Sequence, residues 1–262
     1  MNEAELVLTH VLNCDRLSLY LNKDRELDKD KSALVSSILK RRQTCEPLQY
    51  ILGSTEFMGL KFMVDKRSLI PRPETEILVE KAIKIAASLA RSTGKRIEIL
   101  DIGTGSGCIA VSLAKNAKNC KITATDISPQ ALELSRKNAQ LHQAQIEFIQ
   151  SDLFSSLSGR RFDMIISNPP YIPTPELKGL AREISFEPVL ALDGGQDGLD
   201  YYRRIVSQAH RYLKRRGFLI MEIGFGQAGQ IENMLKKSGK FEIIEIISDY
   251  NNIERVMVSW IN

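Results

Sequence analysis

The chain has 262 residues, 43% of them hydrophobic and 26% charged, with a formal net charge of +4. That composition supports one large α/β domain with a small appendage and excludes collagen-like and disordered classes. So mild a charge does not mark a nucleic-acid binder. The start, Met1-Asn2-Glu3-Ala4-Glu5, is acidic where a secretory leader is basic, and no apolar run approaches the roughly 18 residues a membrane span needs, so a soluble cytoplasmic protein is expected. Cys14, Cys45, Cys108 and Cys120 are scattered, without a CxxC pair or clustering with His10, His142 or His210. Zinc-type spacing is therefore absent, no metal is expected, and the cysteines read as reduced, mostly packed thiols. The basic runs Lys40-Arg41-Arg42 and Lys214-Arg215-Arg216 read as solvated helix ends.

Before about residue 50 the pattern is helical: Ala4, Leu8, Val11 and Leu12 share one face, and Leu34, Ile38 and the stem of Arg41 another. These residues predict a small helical N-terminal domain, 1–49. Tyr50 to Val64, "YILGSTEFMGLKFMV", has β-type residues interrupted by Gly53 and Gly59 and predicts a hairpin. Pro71 and Pro73 then stiffen a linker, closing a 50–73 segment, and deliver the chain to a helix beginning near Glu74. The remaining domain, 74–262, alternates strand, loop and helix. Strands are predicted at Ile97–Asp101, Lys121–Asp126, Ile146–Gln150, Phe162–Ser167 and Phe218–Glu222, and helices near 107–117, 129–141, 199–214 and 227–238. Such alternation implies a parallel sheet with right-handed crossovers and helices on both faces. Two last strands, "FEIIEII" and "RVMVSWI", read as a closing hairpin.

"ILDIGTGSGCIA" places Gly103, Thr104, Gly105, Ser106 and Gly107 between a strand and a helix start. Glycines admit positive φ and leave no side chain between backbone and ligand, so a nucleoside can lie across the strand end. The G-x-G-x-G spacing departs from the dinucleotide fingerprint. Asp126 closes the next strand, where a carboxylate can accept both ribose hydroxyls, and Ser128-Pro129 supplies a cap and first-turn proline for the helix after it. Asp152 follows the third strand and can accept from an adenine amino group, with Leu153 packing on the ring. Read without a ligand, the two acids are helix and turn caps.

The stretch "SNPPYI", Ser167 to Ile172, ends a buried strand with an amide side chain, two prolines and a tyrosine. Adjacent prolines cannot donate to a sheet ladder, so the strand stops and a rigid loop begins at its carboxyl end. Together "DIGTGSG", Asp126 and "NPPY" resemble class I S-adenosylmethionine-dependent methyltransferases that modify planar nitrogens, although NPPY alone is shared with DNA adenine methyltransferases. With "EPLQYILGSTEF", "LIPRPETEILVE", "SDLF", "EPVLALDGGQDGLDYYR" and "LIMEIGFGQ", the chain from Ala4 to Trp260 resembles the HemK-type protein-(glutamine-N5) methyltransferases acting on peptide-chain release factors.

The resemblance implies a Rossmann-like, mostly parallel seven-stranded sheet with a small helical N-terminal domain and a linking β-hairpin. It implies S-adenosylmethionine as cofactor, S-adenosylhomocysteine as product, and a release factor, with its Gly-Gly-Gln glutamine, as partner. Gly103 to Gly107, Asp126, Leu153 and Asn168 are then expected at the cofactor, joined by Arg72 and Thr75. Asn168, Pro169, Pro170 and Tyr171 hold the substrate glutamine. An amide nitrogen is a poor nucleophile because its lone pair is delocalised. The Asn168 side-chain oxygen and the Pro169 carbonyl, the expected catalytic groups, can accept its two N–H bonds and aim the lone pair at the methyl group, while Tyr171 packs on the amide plane. The chain's own Gly194-Gly195-Gln196 reads as a turn before a helix. Two departures stand out. Family members usually carry a further stretch before the position of Ala4, so the resemblance implies a shortened N-terminal domain or a misassigned start. Leu153 also stands where many relatives have tryptophan. Another protein glutamine, as in ribosomal-protein enzymes, and adenine N6 are the rival substrates. The residues before the core are not markedly basic, so no stable nucleic-acid binding is expected, and a monomer is.

Overall fold

A computed structural model describes residues 2–22, 24 and 26–261 of the chain. Met1, Lys23 and Arg25 of the expected N-terminal domain, and Asn262 of the last one, lie outside the described residues. Helix α1 (Glu3–Leu12) starts on a capping box, in which Asn2 Oδ1 accepts from Glu5 N while the Glu5 carboxylate accepts from Asn2 N. Asp15 and Asp28 cap α2 (Arg16–Leu21) and α3 (Lys29–Gln43) in the same sense. These helices and α4 (Leu48–Leu52) enclose a small core of Val7, Val11, Ile38 and Leu48. The buried faces are rotated from the expected ones. Ala4 is exposed and Val7 is inside on α1, and on α3 Leu34 points outward while Val35 packs beside Ile38. On α1 Glu5 is also buried, its carboxylate accepting from Asn2 N, Arg16 and the Tyr20 hydroxyl.

The hairpin is shorter than expected. Tyr50 to Leu52 belong to α4, because Pro47 starts a helical turn and Gly53, at φ 70°, ends it. The strands are β1 (Ser54–Phe57) and β2 (Leu60–Met63), paired antiparallel with Ser54 opposite Met63. Met58 and Gly59 between them both have positive φ, 53° and 69°, the requirement of a tight two-residue turn. Helix α5 (Pro73–Thr93) begins on a proline at its first position.

The main sheet follows from alternation: β3 (Ile97–Ile102), α6 (Cys108–Asn116), β4 (Cys120–Asp126), α7 (Pro129–Leu141), β5 (Ile146–Gln150), β6 (Phe162–Ser167), α8 (Asp200–Ala209), β7 (Leu213–Glu222), α9 (Ala228–Ser238), β8 (Phe241–Ser248) and β9 (Glu254–Ile261). The strands lie in the order β5-β4-β3-β6-β7-β9-β8. Among the described strands of this sheet β9 alone is reversed, antiparallel to both neighbours, so the closing hairpin extends the sheet with β9 against β7 and β8 at the edge. The helix expected over 199–214 stops at Ala209, and Leu213 is already in β7, buried and opposite Phe162. Lys214 consequently stands in a strand, ion-paired with Glu98 and Asp163, and is not a solvated helix end.

Successive strand residues face opposite layers. Ile99, Met164, Ile166 and Ile220 pack with Leu78, Val79 and Ala82 of α5. Leu100, Ile165, Leu219 and Met221 pack with Tyr202 and Ile205 of α8 and Ile231 of α9. Both faces are covered, and the carboxyl ends of β3, β4 and β6 remain for the loops. Asn138 of α7 is fully buried and fixes one of them: its Nδ2 donates to the Ser106 carbonyl (2.8 Å) and the Met63 carbonyl (2.9 Å), while its Oδ1 accepts from Met63 N. No helix among the described residues is long and apolar enough to cross a membrane.

Gly107 ends the glycine loop at φ 83°, and a Cβ there meets the Ser135 Cβ of α7 at 2.9 Å. Gly107→Ala should therefore lower stability by about 2 kcal/mol or more, from left-handed backbone and overpacking together. Equilibrium urea unfolding checks this; a loss near zero contradicts it.

Candidate active site

A cleft of about 1050 Å³, open to solvent, runs across the carboxyl ends of β3, β4 and β6. Gly103, Thr104, Gly105 and Ser106 line it, with Asp126, Asp152 and Leu153, and on its far wall Asn168, Pro169 and Pro170. Gly107 stands back from it, committed to the α6–α7 contact. A second recess of about 500 Å³ is lined by Tyr171, Ile172, Leu69 and Ile184. Asn168, Pro169 and Arg72 line both, so they stand at the junction.

Asp126 is oriented from two sides: Gly105 N donates to Oδ2 and Ser128 N to Oδ1, both at 2.9 Å. Burial raises its pKa, and these backbone donors oppose the rise. Each oxygen keeps a lone pair for a further donor. The loop beneath has φ values of 72° at Gly103 and 56° at Gly105, which side-chain-bearing residues adopt at a cost of roughly 1–2 kcal/mol each. Ser68, also in the wall, has a buried hydroxyl with no partner among the described residues. Backbone free of side chains, a paired-acceptor acid and an unspent hydroxyl fit an adenosine-bearing cofactor.

Asp152 lies at the exposed rim, where both its oxygens are 2.7 Å from Arg204 Nη2. Leu153 is buried with left-handed backbone, φ 50°. Beneath the loop Asp101 is fully buried; Thr104 donates to its Oδ2, and Oδ1 has no partner among the described residues. Burial pushes its pKa up to about 7, against the Thr104 hydrogen bond and assisted by the Asp126 charge.

The opposite wall is organised by a residue to which the sequence reading assigns no role. Glu222 ends β7, 2% exposed, and burial pushes its pKa up to about 7. Thr75 Oγ1 donates to its Oε2 at 2.6 Å, and Asn168 Nδ2 donates to Thr75 Oγ1 at 3.1 Å. Tyr171 Oη donates to the other carboxylate oxygen at 3.5 Å, a weak contact. Neither Asn168 Oδ1 nor the Pro169 carbonyl meets a donor among the described residues. The backbone of the loop is clamped as well: Gln227 Nε2 donates to the Tyr171 carbonyl at 2.9 Å. Gly194 and Gly198 press close, since a Cβ on either would lie under 3.0 Å from Tyr171 backbone. The Gly194-Gly195-Gln196 stretch is thus the expected turn, and it buttresses this loop. Thr75 touches Asn168, and Arg72 is tied to the buried Glu187 carboxylate. Glu222, Gln227 and Asn138 are absent from the expected site. Glu222 alone carried a signal, an acid at the carboxyl end of an apolar strand, as Asp126 is.

Among the described residues no group of three or more His, Cys, Asp or Glu side chains could hold a metal ion. The reversed-strand sheet and the glycine loop facing an acid define a class I methyltransferase with S-adenosylmethionine as its cofactor. The Methyltransferase small domain family matches residues 78–183 and the PrmC N-terminal domain family residues 1–53. Release factor glutamine methyltransferases from Geobacter sulfurreducens and Koribacter versatilis are each 43% identical to the chain over 97% of its length, and over 87% and 89% of theirs; the chain belongs to the release factor glutamine methyltransferase family. A methyltransferase from Pyrococcus furiosus shares the fold, with a TM-score of 0.57 at 17% identity over 84% of this chain and 98% of that one.

The buried Asp101 carboxyl has a pH signature. Its folded pKa, about 7, lies above the ordinary 3.8, so the folded state holds the proton more tightly and ionisation disfavours folding. The penalty is absent below about pH 3.8, grows to about pH 7 and is constant above. The stability of Asp101→Asn relative to the parent should rise across that window, in denaturant titrations at pH 4 to 8; a pH-independent difference contradicts it.

Proposed function

We propose that this chain methylates the side-chain nitrogen of the glutamine in the Gly-Gly-Gln motif of peptide-chain release factors. The supporting observation is Asn168. It sits where the two recesses meet, with its amide nitrogen engaged by Thr75 and its oxygen free of donors among the described residues. A carboxamide so held is an acceptor for an incoming N–H. The Pro169 carbonyl is a second acceptor on the same rigid loop, and two acceptors suit a primary amide that presents two N–H bonds. Fixing both N–H bonds sets the direction of the nitrogen lone pair and stabilises positive charge developing on nitrogen. Tyr171, in the second recess, packs against the amide plane.

S-adenosylmethionine supplies a methyl carbon already activated by a sulfonium leaving group. The Gly103–Ser106 backbone gives its nucleoside room, Asp126 accepts from the ribose hydroxyls, and Leu153 meets the base with apolar surface. Asp152 faces the base's amino group from the rim while paired with Arg204. In this reading Gly107 acts through packing. The helical domain, 1–49, helps to clamp the release factor, with 50–73 as the link to the catalytic domain, 74–262. The enzyme works as a cytoplasmic monomer without stable nucleic-acid binding.

Methyl-labelled S-adenosylmethionine, with purified release factor, ribosomal protein and DNA in separate reactions, tests the substrate. Label is expected on the Gly-Gly-Gln glutamine, located by peptide mass spectrometry; label on DNA or ribosomal protein alone overturns the proposal. Asn168→Ala should lower turnover by roughly a hundredfold or more while cofactor affinity measured by calorimetry stays within a few-fold. Asp126→Ala should instead raise the cofactor Kd by about tenfold or more, as expected for a lost pair of charge-assisted hydrogen bonds.

A further inference from the structure

We propose that Thr75 and Glu222 are positioning residues that decide which end of the Asn168 carboxamide meets the substrate. The inference rests on Asn168 being the acceptor for the substrate nitrogen, and it follows from counting protons. A carboxamide has an acceptor end and a donor end of nearly equal shape, so packing alone does not distinguish them. Thr75 has a single hydroxyl proton. In its ionised form, which the Thr75 hydrogen bond and the Arg255 charge favour against burial, the Glu222 carboxylate, 2.6 Å away, takes it, because an ionised carboxylate only accepts. Thr75 Oγ1 is left with lone pairs alone on the side facing Asn168, 3.1 Å away. The Asn168 nitrogen must therefore turn toward Thr75, and the oxygen toward the recess. The opposite orientation sets two oxygens against each other with no proton between them.

The arrangement is built, not incidental. Thr75 and Glu222 are each 2% exposed, so water does not substitute for a missing partner in the chain of hydrogen bonds. Three separate segments meet in it: the first turn of α5, the end of β7 and the loop after β6. The same carboxylate has Tyr171 Oη 3.5 Å from its other oxygen, a weak contact that places the acid behind both ends of the Asn168–Tyr171 loop. Without the hydroxyl, both amide orientations are equally satisfied. A fraction of molecules then offers N–H to N–H at the reacting nitrogen, and turnover falls without loss of the cleft.

Thr75→Val keeps the shape and removes the hydroxyl. It should lower kcat by roughly tenfold or more, the scale of a misplaced reacting group, with the KM for release factor and the Kd for S-adenosylmethionine within about twofold of the parent. Thr75→Ser should restore kcat to within about threefold, and Glu222→Gln should fall between the two because its own amide can still accept from Thr75. A readout independent of turnover is the side-chain amide resonance of Asn168 in asparagine-labelled protein without cofactor. It should exchange slowly in the parent and Thr75→Ser and rapidly in Thr75→Val. Full turnover in Thr75→Val, no rescue by serine, or unchanged exchange overturns the inference; parent-like kcat in Glu222→Gln removes Glu222 from it. Asn168→Ala separates the two levels. An inactive Asn168→Ala beside a fully active Thr75→Val sinks only the positioning role, whereas an active Asn168→Ala sinks the reading beneath it.

Discussion

The site depends on the parallel pairing of β3 with β6. Ile102 lies opposite Ser167, and the Ser167 hydroxyl donates to the Ile102 carbonyl at 2.9 Å. That register ends both strands at the same level, so the glycine loop after β3 and the acceptor loop after β6 leave the sheet side by side. A slip of one residue would turn Ile165 and Ile166 to the wrong layers, and both layers are full. The distance between cofactor and substrate loops is thus set by the hydrophobic core.

Around that fixed pair the protein spends buried polar groups unevenly. The cofactor side uses backbone donors and acids, Asp126 held by two N–H groups and Asp101 beneath. The substrate side uses a relay of side chains that ends on Glu222. Both sides are braced from a distance. Asn138 ties the glycine loop to the β-hairpin, and Glu187, between the 3-10 turns Ile184–Phe186 and Val189–Ala191, accepts from Ile70 N and pairs with Arg72. Burial raises the pKa of Asp101, Asp126 and Glu222 alike. Asp126 is placed at a cost in stability where a ligand is met, and Asp101 and Glu222 directly behind the walls of the two recesses.

Much of this was legible because it is local. The glycine loop, Asp126 and the proline pair each announce a strand's carboxyl end by their own chemistry, and alternation revealed the sheet. What was not legible depends on distant partners. Glu222 meets Thr75 across 147 residues of chain, and Asn138 meets Met63 across 75; no periodicity encodes either contact. The misjudged elements have the same origin. Tyr50 to Leu52 have β-type composition but take their conformation from Pro47 and Gly53, and Lys214 reads as a helix end until Glu98 and Asp163 are seen beside it. Ala4 and Leu34 lie on plausible faces that the real packing passes over by one residue.

The insertion of β9 between β7 and β8 also orders events in time. β9 is made after both of its neighbours in the sheet, and until it arrives the long edge of β7 has only one partner, β6. An unpaired apolar edge is a template for misassociation during synthesis. The same delay keeps Arg255, whose charge favours ionisation of Glu222, away from the acceptor loop. Docking of β9 thus closes the β7 edge and brings the Arg255 charge to Glu222 in one step.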